Sequence, residues 1–180
     1  MIRNLIFTLG IFVIAYLVIP SSTYAQNKFE GTQVCGVCHK TEKQGQQLKI
    51  WQDSKHASAY KTLQSAEAKK LSPDVDPVKN QNCLKCHVAG AGLDASHFGA
   101  KFKVEDGVQC EACHGAGSAY KSLKVMKSRD ESVKNGLVVW KDKAEIKADC
   151  VKCHNSESPT FKEFDFEKMW AKIAHPVPKG

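Results

Sequence analysis

The sequence predicts a mainly α protein made of short helices and long loops, and three stretches carry that prediction. The segment 48–71, LKIWQDSKHASAYKTLQSAEAKKL, is rich in helix formers and holds neither proline nor glycine. Near the C-terminus, FDFEKMWAKIAHPVPKG predicts a short helix from about Phe166 to Ile173 that stops at His175-Pro176, because the residue before a proline is pushed out of the helical region. Between them, residues 88–107, VAGAGLDASHFGAKFKVEDG, are glycine-rich and read as loop.

The first 25 residues stand apart. Arg3, an apolar run from Leu5 to Ile19, Pro20 as a breaker and the small residues Thr23 and Ala25 follow the order of a secretory signal peptide. The run is shorter than the roughly 20 apolar residues a membrane-spanning helix needs. The expected organisation is therefore a signal peptide over residues 1–25, cleaved after Ala25, and one domain over residues 26–180 with no stable membrane span, exported to an oxidising compartment such as the periplasm.

The formal charge is +7. The lysines are scattered, no basic helix interleaves with aromatics, and an exported protein seldom meets nucleic acid, so nucleic-acid binding is set aside.

All eight cysteines fall into four C-x-x-C pairs, and each pair is followed at once by histidine. The four motifs are Cys35, Cys38 and His39 (CGVCH), Cys83, Cys86 and His87 (CLKCH), Cys110, Cys113 and His114 (CEACH), and Cys150, Cys153 and His154 (CVKCH). Only seven histidines are present in 180 residues, so four such placements are not chance. Zinc sites use cysteine pairs at this spacing but have no need of a histidine next to each one. A thioredoxin-like site uses one pair, and disulfide frameworks place no demand on the neighbouring residue.

Covalent haem attachment makes all three demands. On one helical turn the two sulfurs reach the two vinyl groups on one edge of a porphyrin, and the adjacent histidine binds iron. Four motifs imply four haem c groups with their iron. Such a chain is too short to build a separate core around each, so the macrocycles lie close together and supply much of the apolar interior. Their propionates bring the net charge, +6 once the leader and Arg3 are gone, to about +2 with all irons ferric and about −2 with all ferrous.

Three histidines lie outside the motifs, so at most three of four irons can be held by two histidines. His56 shares a helical face with Ala59, Tyr60 and Leu63, which suits pressing against a porphyrin. His175 is positioned by the proline after it. His97 sits in the glycine-rich loop, where a surface histidine is the rival reading. All three are candidate iron ligands. Trp51 and Tyr60 read as haem packing. Met126 reads as a helix-face residue and Met169 as the apolar side of the last helix, although a thioether can also coordinate iron. Histidine gives more electron density to ferric iron than a thioether does, so low reduction potentials are expected.

The segments GTQVCGVCHKT, WQDSKHASAY, NCLKCHVAG, GVQCEACHGAGS, DCVKCHNSESPTF and FDFEKMWAKIAHP resemble, in order, those of the cytochrome c-554 family, periplasmic tetrahaem electron carriers. The resemblance implies a mainly helical multihaem cytochrome c fold with haems in closely stacked pairs, three irons held by two histidines, and one high-spin iron. It implies His56 as partner to the third haem, His175 to the fourth, and an open iron on His87. Family members often carry a histidine shortly after the third motif for the first haem; this sequence has Tyr120 there, leaving His97 for that place.

Two functions follow. The first is electron transfer between periplasmic or membrane-associated redox proteins, which asks of the side chains only ligation, orientation and field. The alternative is an enzyme that reduces a small nitrogen oxide or peroxide at an open iron. Turnover there needs proton donors above the iron, and the only arginines are Arg3 and Arg129. An electron carrier rather than an enzyme is therefore the expectation.

Overall fold

The structure, a computed structural model, describes residues 26–177. The expected leader and its cleavage point lie outside the described residues. The chain is mainly α, and no strand occurs among the described residues; a single parallel bridge pairs Phe29 with Phe98. Among the described residues ten α-helices follow one another: α1 (Thr32–Gly36), α2 (Gln47–Gln52), α3 (Ala59–Thr62), α4 (Ala66–Leu71), α5 (Gln81–His87), α6 (Cys110–His114), α7 (Leu123–Met126), α8 (Arg129–Lys134), α9 (Lys143–Cys150) and α10 (Phe166–Ile173).

The C-terminal helix spans the residues the sequence predicts. Asp165 caps it by accepting from the Lys168 N–H, and Ala174, just before His175-Pro176, leaves the helical region at ψ 129°. The segment 48–71 is broken, by contrast, into α2, a 3₁₀ turn at His56–Ser58, α3 and α4. Serine and threonine hydroxyls cause the breaks: Ser54 Oγ and Thr62 Oγ1 donate back to the carbonyls of Trp51 and Ala59, and Ser65 Oγ accepts from the Ala68 N–H to start α4. Such local bonds compete with continued helix. The glycine-rich stretch holds only two 3₁₀ turns, Ala95–His97 and Val104–Asp106.

Few apolar side chains are buried among the described residues. Among the described residues the buried hydrophobics are Leu63, Val88, Ala89, Tyr120 and Phe166, whereas Val37 is 69% and Leu123 66% exposed. Burial of apolar area is the main source of stability, and this polypeptide supplies little of it by itself.

The best-built region is polar. Residues 27–32 run along the third motif: the Asn27 side-chain amide donates to the Asn135 carbonyl, Lys28 exchanges bonds with Ser118, and Thr32 donates from both N–H and hydroxyl to the buried Gln109 Oε1. Gly31 is required in this seam. Its φ is +94°, and a Cβ there would meet the Lys101 carbonyl oxygen at 2.6 Å.

Candidate haem-binding site

Each Cys-x-x-Cys-His stretch occupies one helical turn. The second and third lie inside α5 and α6. The first and fourth start at the ends of α1 and α9 and are closed by bonds from the His39 and His154 N–H to the Cys35 and Cys150 carbonyls, at 3.1 and 3.0 Å. All eight cysteines are unbridged; Cys38 is exposed and the other seven are half-buried.

The fold sets the four turns in a row. The Cys35 and Cys110 side chains touch, and this contact, then burial, pushes the Cys35 thiol up. The Cys113 thiol, pushed up to about 12 by burial first, feels Asp149 and then Cys150 of the fourth motif. Burial and then Cys86 push Cys153 up to about 11. The spatial order is therefore first, third, fourth, second.

Two outlying histidines face motif histidines. His56 and His154 have ring centroids 6.0 Å apart, and His114 and His175 are 5.8 Å apart. Two metal–nitrogen bonds of about 2 Å, with half an imidazole at each end, need a separation of this size. Burial lowers the His39, His56 and His114 pKa values, which favours the neutral imidazole that ligates. The Nδ1 atoms of His87, His114 and His175 face carbonyl oxygens of Ala59 at 2.7 Å, Val138 at 3.5 Å and Pro176 at 3.4 Å. An N–H held there leaves Nε2 as the free lone pair. No group of three or more His, Cys, Asp or Glu side chains converges on a metal position among the described residues. The residues fit haem.

The pairing differs from the one the resemblance implies: His56 faces the fourth motif and His175 the third. His175 is near the fourth motif in sequence, but the chain end is tied elsewhere. Gln47 Nε2 donates to the Pro176 carbonyl at 3.0 Å and α10 packs on α2, which sets His175 between His114 and His39. His56 is turned the other way by the bond from the Val108 N–H to its carbonyl.

His97 joins neither pair. It is mostly buried, its carbonyl accepts from the Phe29 N–H, and its Nδ1 lies 3.3 Å from Asp94 Oδ1 without hydrogen-bond alignment. Among the described residues no histidine ring faces His39 or His87 at the spacing of the two pairs. Tyr120 is locked to the backbone, its hydroxyl donating to the carbonyls of His114 and Gly115. Met126 receives a weak bond from Ser132 Oγ at 3.8 Å, which suits packing. Trp51 donates from Nε1 to the Val108 carbonyl at 2.8 Å and so positions the turn that carries His56.

Residues 34–115, which include the first three motifs, match the family described as Cytochrome c554 and c-prime. Over this stretch the chain is cytochrome c-554-like. It is 36% identical to cytochrome c-554 of Nitrosomonas europaea over 107 residues, a match that spans 56% of this chain and 43% of that relative. No solved structure matches. A c-type cytochrome carries covalent haem c with its iron. The fourth motif and His175 lie beyond the family match.

The sequence reading missed Glu111, Gln109 and Gln47. Glu111 occupies a position that the attachment motif leaves free, so its spacing carries no signal. Gln109 and Gln47 are polar residues whose burial only the fold decides.

Proposed function

We propose that residues 26–180, after removal of a leader ending at Ala25, form a periplasmic tetrahaem electron carrier that shuttles electrons between redox partners. Cys35/Cys38, Cys83/Cys86, Cys110/Cys113 and Cys150/Cys153 would anchor one haem each, and His39, His87, His114 and His154 would each supply a ligand to its iron. His56 would complete the ligation at the fourth motif and His175 at the third, as their facing rings support; His97, the remaining spare histidine, is the candidate for the first on the count of histidines alone. When bound, each haem supplies a one-electron iron couple. The observation that carries the reading is the row of four Cys-Cys-His turns with two histidine pairs at iron-spanning distance.

The protein's own work is to hold that row, keep the ligands neutral and set the field around them. Exposed lysines around the row suit transient, charge-guided docking. The mass of protein produced in a host with cytochrome c maturation tests the reading directly. A value of polypeptide 26–180 plus four haems, with Gln26 at the N-terminus, is expected; a bare polypeptide ends it.

A second reading is reduction of a small nitrogen oxide or peroxide at an open iron. Its support is His87, whose ring has a backbone tether on Nδ1 and no facing histidine. Paramagnetic resonance of the oxidised protein decides: high-spin signal from a quarter of the haem keeps this reading, and wholly low-spin haem removes it.

A further inference from the structure

We infer that the Glu111 carboxylate is a fixed, buried negative charge that lowers the reduction potential of the haem anchored at the third motif and, more weakly, of the one anchored at the first. The inference rests on haem attachment at those two motifs.

Glu111 is 2% exposed. Its Oε1 accepts from the Glu30 N–H at 2.8 Å and the Gly117 N–H at 2.7 Å, and its Oε2 from the Glu30 N–H at 2.9 Å and the Gly31 N–H at 2.7 Å. Every partner is an N–H donor and none accepts from it, an arrangement that suits a carboxylate. No lysine or arginine side chain pairs with it among the described residues; the nearby Lys121 pairs instead with Glu30, at 2.7 Å. Backbone dipoles hold the charge in place, and no cation cancels it.

Its position gives that charge a target. Glu111 follows Cys110 directly in the attachment turn, and Cys110 touches Cys35 of the first motif. The field is felt locally: after burial, the Glu111 charge is the next cause pushing the Tyr120 phenol up. A negative charge held close in a low-dielectric region favours the more positive, ferric state of an iron. The equivalent positions of the other motifs hold Gly36, Leu84 and Val151, which carry no charge. Glu111 is thus a positioning residue for the seam and a tuning charge for the haems at its two ends.

Potentiometric titration of the fully loaded Glu111→Gln protein tests this. The amide keeps one oxygen for the N–H donors and removes the charge. Four haems by mass and an upward shift of the third-motif midpoint are expected, with a smaller upward shift at the first motif. The third-motif centre is identified as the one whose midpoint moves in His175→Met. Four haems with unmoved midpoints overturn the inference. If Glu111→Gln fails to load haem, the unaltered protein decides: the third-motif centre titrates below the fourth-motif centre, and the reverse order overturns the inference. Absence of haem at the third motif in the unaltered protein would instead sink the functional reading, and mass distinguishes the two failures.

Discussion

The third and fourth motifs share the same attachment pattern and are built in opposite ways. Around the third, the first variable position is Glu111, stitched to residues 30, 31 and 117, while the Tyr120 hydroxyl fastens the turn's own carbonyls and Cys110 touches Cys35. Around the fourth, the variable positions are Val151, 38% exposed, and Lys152, whose ammonium bridges only to Asp149 three residues back. Its histidine is set by stacking on Phe164 at 4.7 Å and by facing His56. The motif dictates chemistry at three of its five positions. The other two decide whether the turn belongs to the core of the fold or hangs on its side.

The largest effect that separates the two regions follows from removing the cysteines. Cys110→Ala with Cys113→Ala takes out the haem at the polar seam and leaves little folded protein, whereas Cys150→Ala with Cys153→Ala yields a folded three-haem protein. Haem count by mass and far-ultraviolet dichroism check both outcomes.

Next comes Glu111→Ala, which strands three buried N–H donors and costs about 3–5 kcal/mol in denaturant unfolding of the haem-loaded protein. The matching Val151→Ala change, on an exposed side chain, costs under about 1 kcal/mol. Equal losses at the two positions would erase the contrast.

Gly31→Ala probes the seam from its far side. The positive φ and the 2.6 Å approach to the Lys101 carbonyl make it destabilising by about 1–3 kcal/mol, read from the same unfolding curves.

The pairing of histidines separates the motifs spectroscopically. His56→Ala converts one low-spin centre to high spin and leaves the His114–His175 centre unchanged; His175→Ala does the converse. Paramagnetic resonance of each variant reads this, and a change at the wrong centre would reverse the pairing.

The smallest effect is Lys152→Gln. It removes a solvent-exposed ion pair beside the fourth motif and leaves the thermal midpoint unchanged.

What could be read before folding was local. The positions of the four Cys-x-x-Cys-His turns and the limits of α10 depend on residues a few places apart, through spacing, capping and the proline stop. The breaks within 48–71 were not legible, because hydroxyl-to-carbonyl bonds at Ser54 and Thr62 compete with helix without any proline or glycine to announce it. His56 and His175 stood out by type, since any spare histidine is a candidate ligand, yet their partners could not be assigned from order along the chain.

The sequence by itself determined the four Cys-x-x-Cys-His turns on which the proposed attachment rests, because each needs only five consecutive residues on one turn. Only the tertiary structure decided that His56 faces the fourth motif and His175 the third, and that Glu111 lies buried between the first and third. Those outcomes rest on contacts between residues as far apart as Gln47 and Pro176, or Gly31 and Glu111, and the energy of such contacts exists only once the chain has closed on itself.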